Sequence, residues 1–347
     1  PTFACFAGAT RTFRGTVDKT QAADFGAISN TIKSQTKYFG SEGEEKALDT
    51  YNFSADGKTI KTLTHFNYVA DVLTSSTTYR NADPSTQANR TIDQMVTGAV
   101  QGDKRSITTY TGFEGEEKAQ RTWNYDYLGL VVKSTTLFSY TADTLNLSRT
   151  YRGQSNALVM AQVDLVATPL KSETDYVGNE GEEKALVTRN YSYNGLVIKT
   201  SSVFTYVADV LDISRTYRGT VTLTQAQDSQ KLVPVAIVNL IKSQTQYTGA
   251  EGEEKALDTY NFSADGKTVK TLTHFNYSAD VLTSSTTYRN NDASTATGRT
   301  IAAMVLAAGQ GATRSITTYT GFEGEEKAQR TWNYDYLGLV VKSTTLF

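Results

Sequence analysis

Short stretches in which aromatic or aliphatic side chains alternate with polar ones recur along the whole chain, separated by turn residues. One region holds two such stretches in succession: Trp123, Tyr125 and Tyr127, then Val132, Ser134, Thr136, Phe138 and Tyr140. Alternate residues of a β-strand share one face of the sheet. The pattern therefore predicts an antiparallel meander with one aromatic face and one face of Ser, Thr, Asn and Lys.

The aromatic face is the predicted core. Its rings are expected to be mostly buried in two matching regions: Trp123, Tyr125, Phe138 and Tyr140 in one, Trp332, Tyr334 and Phe347 in the other. Such ladders also suit stacking on sugars or bases. The strict period of two on one face favours a core.

The meander is built from a repeat whose most constant part is the hexad Glu-Gly-Glu-Glu-Lys-Ala. A Tyr-X-Gly-X sequence precedes each hexad, and a Thr/Tyr/Asn-rich run follows it. The hexad glycines are Gly43, Gly115, Gly181, Gly252 and Gly324. Their spacings of 72, 66, 71 and 72 residues are typical of a tandem array rather than of a catalytic domain.

A second period of 209 residues is superimposed on the first, and residues 105–138 are identical to residues 314–347. Each block of 209 residues contains three repeats. The predicted divisions are the end of a preceding repeat (1–32), repeat 1 (33–104), repeat 2 (105–170), repeat 3 (171–241), repeat 4 (242–313) and a partial repeat 5 (314–347). Each full repeat reads as four strands and a variable connector.

The two ends of the sequence lie inside the repeat pattern. Residues 11–17 resemble residues 215–221, and Phe347 corresponds to Phe138, which lies in mid-strand. A strand that ends in its middle leaves backbone groups without partners. We therefore expect either a longer chain of the same repeats or a second subunit that continues the sheet.

The connectors are residues 82–102, 153–170, 219–241 and 292–312, and they carry the apolar stretches that could cover the aromatic face. The first and the last have helical spacing, as in Ile92, Met95, Val96 and Val100, and are predicted to be short helices. For the middle two, helix and strand both stay open. The predicted fold is thus an all-β, extended, solenoid-like array, with a closed propeller as the alternative.

Composition and charge exclude several classes of function. With 34 basic and 36 acidic residues, the chain has no basic excess for nucleic acid. No apolar run reaches membrane-spanning length and no signal peptide is visible. The single cysteine, Cys5, has no internal disulfide partner. His65 and His274 occupy one repeat position on Thr-rich strands, so we expect no metal or catalytic role for them.

The hexad carboxylates are the only candidates for ion binding or acid–base chemistry. They could bind Ca²⁺, act as an acid–base pair, or serve with the lysine in a cross-link. The candidate Ca²⁺ ligands are Glu42, Glu44, Glu45, Glu116 and Glu117. A hairpin turn accounts for the hexad better, with glycine supplying positive φ while Glu and Lys stay solvated or pair across strands. We therefore expect no bound metal and no cofactor.

Asn-X-Ser/Thr triplets are glycan acceptors in secreted proteins of glycosylating hosts. Three of them, at Asn52, Asn190 and Asn261, share one repeat position. They are candidate glycosylation sites, although chance alone produces several such triplets in a chain this rich in Asn, Ser and Thr.

Residues 124–131, Asn-Tyr-Asp-Tyr-Leu-Gly-Leu-Val, and their counterparts 190–197 resemble YD/RHS repeats, which string Tyr-Asp-X-X-Gly hairpins into a large β-shell. Asp126 is replaced by Ser192 in repeat 3, and the hexad is not part of that family. The chain is also similar to giant tandem-repeat surface proteins of uncultured bacteria, over nearly every repeat. These resemblances imply a continuous β-meander and an extracellular, structural role.

The sequence contains no Walker loop, dinucleotide-binding glycine pattern, nucleophile elbow or Cys/His metal pattern. We therefore expect a protein that is not an enzyme. The predicted function is that of a filament, sheath or surface stalk at the cell surface, whose partners are further copies of the repeat. The alternative is an adhesin or binding module for glycan or protein.

Overall fold

A computed structural model describes residues 8–14, 32–83, 90–230, 240–292 and 300–347. Within these ranges the chain forms twenty strands, three short α-helices and one 3₁₀ turn. All the strand pairings within each of the two compact units described below are antiparallel. The predicted fold class, an all-β meander with short helical or irregular connectors, is confirmed.

The chain divides into two compact units. The first consists of Pro1–Phe138 and Thr150–Thr168, and the second of Ser139–Arg149 and Pro169–Phe347. The first ten strands are β1 Ala9–Phe13, β2 Ile32–Phe39, β3 Lys46–Phe53, β4 Ile60–Val69, β5 Val72–Asn81, β6 Gln101–Thr111, β7 Lys118–Tyr125, β8 Val132–Thr141, β9 Thr144–Arg152 and β10 Leu170–Val177. The other ten are β11 Lys184–Tyr191, β12 Ile198–Val207, β13 Val210–Arg218, β14 Ile241–Thr248, β15 Lys255–Phe262, β16 Val269–Ser278, β17 Val281–Asn290, β18 Gln310–Thr320, β19 Lys327–Tyr334 and β20 Val341–Leu346.

Within each compact unit, every strand pairs with the next one along the chain. Threonines face one another across successive strands, as in the row Thr36, Thr50, Thr64 and Thr78. The hydroxyls of Thr36 and Thr50 lie 2.9 Å apart, as do those of Thr64 and Thr78. Cross-strand pairs of this kind hold the register of a sheet. Four strands joined by three turns make up each full repeat.

β-Bulges interrupt the alternation, and they change which residues form the core. Tyr51 faces Leu63, but Phe53 faces Ile60, so β4 carries one extra residue at this point. The extra residue places Ile60 on the same face as Leu63, although the two are three positions apart. The same bulge occurs in β8, where Trp123 faces Thr135 and Tyr125 faces Val132. The prediction that Val132 shares a face with Ser134, Thr136 and Phe138 is therefore wrong.

The aromatic ladder is less buried than the sequence predicts. Trp123, Tyr125, Phe138 and Tyr140 are half-buried, and so are Trp332 and Tyr334. Tyr127 lies in a turn with 77% of its surface exposed, and Phe347 is 72% exposed. For Phe347 the prediction of burial is wrong. Tyr127 lies beyond the last paired residue of its strand, where the face of the sheet no longer continues.

The helices are α1 Ile92–Gly98, α2 Leu223–Gln230 and α3 Ile301–Ala307. Thr91 and Gln94 form a capping box that starts α1. Buried Ile92, Met95 and Val96 then pack against the sheet in the first compact unit. This cluster also contains Ile32, Tyr51, Phe53, Ile60 and Leu63. The prediction that the first and last connectors are short helices that cover the sheet is thus confirmed for the first.

In the second compact unit, α2 and α3 cover the sheet in the same way. Thr300 caps α3, whose Ile301, Met304 and Val305 are buried. They belong to one cluster with Ala226 of α2 and residues of the sheet that include Tyr217, Phe262 and Leu272. The middle connectors differ from each other, since residues 153–170 contain only a 3₁₀ turn at Met160–Gln162, whereas 219–241 contain α2. Residues 231–239 lie outside the described ranges.

Two further observations concern boundaries and membranes. β6 begins at Gln101, so the predicted division after residue 104 falls within a strand. No helix in the described part of the chain has the length and apolar character that crossing a bilayer requires.

Candidate functional site: the seams between repeats

The hexad turns are shaped by two glycines. Gly112, in the Tyr-X-Gly-X sequence, has φ +136°, and a Cβ there would lie 2.5 Å from the carbonyl oxygen of Glu116. Gly115, the hexad glycine, has φ +79°. Only glycine adopts the first conformation without a clash. These glycines place the hexad side chains against the preceding repeat.

The hexad lysine is the first contact of what we call a seam, the set of side chains that joins one repeat to the next. In the seam between repeats 1 and 2, Lys46 Nζ lies 3.0 Å from a carboxylate oxygen of Asp71 and 2.6 Å from Glu114 Oε1. It also donates to the backbone carbonyl of Asp71. Lys46 and Asp71 belong to repeat 1 and Glu114 to repeat 2. The ammonium group of Lys46 therefore forms one ion pair within repeat 1 and one with repeat 2.

The fourth residue of the hexad makes the second contact. One carboxylate oxygen of Glu117 accepts the N–H of Gly115 in its own turn at 3.0 Å. The other accepts the N–H of Leu73, in the preceding repeat, at 2.8 Å. Leu73 follows a turn in which Ala70 and Asp71 both have positive φ. Hydrogen bonds to an ionised carboxylate are stronger than neutral ones.

The tyrosine that precedes the hexad makes the third contact. The hydroxyl of Tyr110 lies 3.0 Å from the hydroxyl of Ser76 in repeat 1. Glu114, Glu117 and Tyr110 of repeat 2 thus contact repeat 1 at three separate points. Together, Lys46, Asp71, Leu73 and Ser76 on one side meet Glu114, Glu117 and Tyr110 on the other.

The same contacts recur in the second compact unit. Lys184 bridges Asp209 and Glu251, and Lys255 bridges Asp280 and Glu323. The backbone N–H contacts are Leu145 to Glu183, Leu211 to Glu254 and Leu282 to Glu326, and the hydroxyl pairs are Ser148–Tyr176, Ser214–Tyr247 and Ser285–Tyr319. Because the same atoms meet each time, the seam is a property of the repeat and not of one location.

Several charged groups in the seams have pKa values that are shifted in the direction that favours ionisation. Burial raises the pKa of Glu117, but the N–H groups of Leu73 and Gly115 outweigh it and leave the pKa below its usual value. The N–H of Leu211 is the main cause that lowers the pKa of Glu254. The hydrogen bond with Glu114 is the main cause that raises the pKa of Lys46.

Lys184 and Lys255 follow the same direction. Partial burial of each ammonium group lowers its pKa, but two carboxylates in each seam raise it further and leave it above the usual value. Both lysines are therefore charged at neutral pH.

The candidate Ca²⁺ ligands are distributed between these seams and solvent. Glu117 is a seam residue, Glu45 accepts the N–H of Gly43 at 2.9 Å, and Glu42, Glu44 and Glu116 are exposed. Among the described residues, no group of three or more His, Cys, Asp or Glu side chains is arranged to hold a metal ion. The expectation that the turns bind no metal stays a prediction.

The candidate glycosylation sites lie on exposed positions of equivalent strands. The side-chain amides of Asn52, Asn190 and Asn261 donate to Thr62, Thr200 and Thr271 at 3.2–3.4 Å. The two histidines each lie beside an aspartate, with Nδ1 of His65 2.8 Å from Asp49 and that of His274 2.9 Å from Asp258. Use of the asparagines as glycan acceptors stays a prediction.

Sequence reasoning assigned the hexad to a solvated hairpin turn and missed its contacts with the preceding repeat. The signal was available in the sequence. Every hexad retains Glu-Glu-Lys, and Ala-Asp recurs at a fixed distance after it in the four full repeats, at Asp71, Asp143, Asp209 and Asp280. Residue types retained in two separate turns of one repeat indicate that the two turns meet.

At the other end of the strands, the turns 126–131 and 192–197 are stabilised by different side chains that accept backbone N–H groups. In repeat 2, Asp126 accepts the N–H groups of Leu130 and Val131. In repeat 3, Ser192 and Asn194 divide this role, since Ser192 Oγ accepts from Val197 and Asn194 Oδ1 from Leu196. Ser192 replaces the aspartate of the YD pattern, and the turn is preserved.

One cleft lies beside a seam in the second compact unit, with a volume of about 360 Å³. Asn179, Glu182, Lys184, Tyr206 and Gln227 are among its lining residues. Gln227 comes from α2, which has no counterpart in the residues 153–170 that connect the previous repeat. Gln227 thus adds a connector amide to a cleft that the seam residue Lys184 also lines.

No protein-family model matches the chain, and no curated protein matches it. Among solved structures, it is similar to two crystal structures of TcdB2-TccC3, one of them described as TcdB2-TccC3-TEV, at 11% and 10% identity. The matches cover 97% of this chain and 15% and 14% of those chains, each with a TM-score of 0.33.

A third neighbour is a Photorhabdus luminescens Tc holotoxin pore, at 8% identity, with 95% of this chain and 20% of that chain covered and a TM-score of 0.12. This chain thus spans a fifth or less of the length of these three chains. At these TM-scores the likeness decides neither fold nor function.

Proposed function

We propose that this chain is a segment of a structural β-repeat array, a scaffold of the kind found in filaments, sheaths or surface stalks. The observation that carries the proposal is the recurrence of the seam, in which Lys46, Asp71 and Leu73 of one repeat meet Glu114 and Glu117 of the next. A sequence that devotes its most constant residues to joining its own repeats is organised around continuity of the array.

The seams give neighbouring repeats a means of stabilising one another. In repeat proteins, stability is approximately a sum of terms within repeats and between nearest neighbours. Backbone pairing between successive strands supplies one such term, and the charge-assisted hydrogen bonds of the seam supply another. Under load, a repeat held at three side-chain points resists separation better than one held by the sheet alone.

An extracellular or cell-surface location and self-association with further copies of the repeat belong to the same proposal. The repetition supports them, because identical blocks make identical contacts with their neighbours. Constant steps that do not close give a helix or a fibre rather than a ring. Catalysis has no role in this proposal.

The test uses the 209-residue block. A chain in which residues 33–241 are inserted once more, in frame between Ile241 and Lys242, keeps every repeat junction unchanged. For an array, electron microscopy is expected to show elongated particles whose length increases by a constant amount with each inserted block. Compact particles of unchanged outline would contradict the proposal and favour a propeller-like protein.

A second candidate, a binding module, is favoured by the cleft in repeat 3. An aromatic ring, amides and a carboxylate around one cavity form a common setting for a small polar ligand such as a sugar. A glycan array with the native chain and a Gln227→Ala variant tests this. Binding that the variant loses would support the module, and an array without signal would leave only the structural role.

A further inference from the structure

The topology of the meander separates the turns into two groups. The turns with the hexads and the Ala-Asp turns all lie at one end of the strands, which we call the hexad end. The turns of the type 126–131 and the connectors lie at the opposite end, which we call the connector end. Each description applies to each compact unit separately.

The two ends carry opposite charge, although the whole chain is nearly neutral. At the hexad end, the third residue of each hexad is a glutamate: Glu44, Glu116, Glu182, Glu253 and Glu325. At the connector end, a lysine follows the first residue of the fourth, eighth, twelfth, sixteenth and twentieth strands: Lys61, Lys133, Lys199, Lys270 and Lys342. All five lysines and the first four of these glutamates are exposed.

The surroundings extend each charge pattern. The hexad lysines Lys46, Lys184 and Lys255 are already bridged by two carboxylates each, so they do not offset the exposed glutamates. At the connector end, β6 exposes Asp103, Lys104 and Arg105, one acidic and two basic residues, next to the turn 126–131. Asp126 in the same turn is engaged by backbone N–H groups.

Both ends also expose apolar side chains next to these charges. At the connector end, Tyr127 and Leu130 are exposed, and so are Tyr193 and Leu196. At the hexad end, Phe113 is 80% exposed. Aromatic side chains are enriched in protein interfaces, whose rims are polar.

We propose that two copies of this chain associate side by side, with the acidic hexad end of one against the basic connector end of the other. Both charge patterns follow from the same repeat, so they have the same period. With strands about 4.8 Å apart, four strands give a period of roughly 19 Å at both ends. Within each compact unit, two copies in parallel register thus match at successive repeats, and many weak contacts act together.

Such a contact is heterologous, since different surfaces of the two copies meet. Each pair of copies leaves one acidic and one basic end free, and growth continues laterally into a sheet or bundle. This inference rests on the proposed structural function and names its partner, a second copy of the chain.

The experiment is charge reversal at matched positions, followed by sedimentation velocity. One variant carries Lys133→Glu, Lys199→Glu and Lys270→Glu, and the other carries Glu116→Lys, Glu182→Lys and Glu253→Lys. Each variant alone is expected to lose self-association because both of its ends then have the same sign. An equimolar mixture is expected to recover it, because one variant is then acidic and the other basic at both ends.

The control variant carries Lys133→Arg, Lys199→Arg and Lys270→Arg, which preserves the charge and is expected to associate like the native chain. Association of the native chain is expected to weaken as NaCl rises from about 0.01 M to about 1 M, as the Debye length falls from about 30 Å to about 3 Å. Circular dichroism verifies that all three variants fold.

Two results would overturn the inference: a native chain that stays monomeric at low salt, or reversed variants that associate as the native chain does. Binding of the native chain to vesicles with anionic lipids, without self-association, would assign the connector end to a membrane surface instead. The block-insertion experiment is independent of these outcomes. Elongated but monomeric particles would leave the structural function standing and refute only the lateral contact.

Discussion

Residues 105–138 and 314–347 are identical in sequence and pair their strands in the same register, yet their side chains differ in burial. Leu137 is completely buried, whereas its counterpart Leu346 is 69% exposed. Arg121 is buried and Arg330 is exposed. In both copies, the leucine faces the arginine across the strand pair.

The difference comes from residues 150–157, which cover the first copy. Arg121 donates to the carbonyl of Asn156 at 2.7 Å, and Trp123 Nε1 donates to the carbonyl of Ser155 at 2.8 Å. Thr135 Oγ1 donates to the carbonyl of Gly153. The sequence of residues 105–138 thus decides which of its strands pair. Which of its side chains are buried is decided by residues 150–157, which pack on it.

The largest expected effect separates the two leucines. Leu137→Ala is expected to lower the free energy of unfolding by about 2–5 kcal/mol, since it opens a cavity in a closed core. Leu346→Ala is expected to cost less than about 0.5 kcal/mol, as for most surface changes. Urea unfolding of the two variants and the native chain measures both.

The transplanted connector sharpens this test. When residues 139–168 are fused after Phe347, Leu346→Ala is expected to become as costly as Leu137→Ala. The two substitutions could instead lower the free energy of unfolding equally in the chain without the fusion. Burial by residues 150–157 would then not be what distinguishes the two copies.

The seams are expected to behave in the opposite way, because both copies retain them. Glu117 accepts the N–H of Leu73 at 2.8 Å, and Glu326 accepts that of Leu282 at 3.0 Å. Glu117→Gln and Glu326→Gln should therefore cost the same, about 1 kcal/mol each, through loss of a charge-assisted hydrogen bond. Chemical denaturation compares them, with exposed Glu116→Gln as the control. Unequal costs would show that the seam depends on the covering connector.

The pH dependence of stability follows from the shifted pKa values. Glu117 has a lowered pKa, so its contribution is present above the usual value of 4.5 and is lost as the pH falls through the lowered value. Lys46 has a raised pKa, so its contribution is present below 10.5 and is lost as the pH rises through the raised value. The native chain should thus have its highest melting temperature between these two pH limits.

The Glu117→Gln variant should lose less stability than the native chain as the pH falls below 4.5. If the stability of both proteins falls equally steeply below pH 4.5, Glu117 is not a cause of the pH dependence.

The smallest effect is expected at the exposed turns. Tyr127 and Tyr336 are exposed alike, and Arg80 and Arg289 lie over their rings at 5.2 and 5.4 Å. Tyr127→Ala and Tyr336→Ala should each cost about 0.5–1 kcal/mol, the value of an exposed cation–π contact. A cost of several kcal/mol in thermal unfolding would contradict this expectation and show that Tyr127 contributes to the core.

Local features of the sequence were sufficient to predict the strands and turns. The alternation around Trp123 and Tyr125 identifies a strand, and Gly112 and Gly115 identify the turn before it, because backbone conformation depends on nearest neighbours. The bulge at Lys61 was not predictable from alternation alone. One extra residue changes the phase of every later position, and pattern counting gives no sign of where this occurs.

The seam was only partly predictable. The retained Glu-Glu-Lys of the hexad indicated a role, but Lys46 and Glu114 are 68 residues apart and Leu73 and Glu117 are 44 apart. No local rule relates residues at those distances. The meander supplies the relation, since it returns each hexad to the same end of the strands.

The sequence by itself determined that the chain is a tandem array of antiparallel strands, where its turns lie, and that its period is set by the hexad. Those properties depend on backbone geometry and on contacts within a few residues. The tertiary structure alone decided that Leu137 is buried and Leu346 is exposed, and that Glu117 accepts a hydrogen bond from the preceding repeat. Burial and charge pairing depend on which distant segments meet, and identical sequences in different surroundings give different answers.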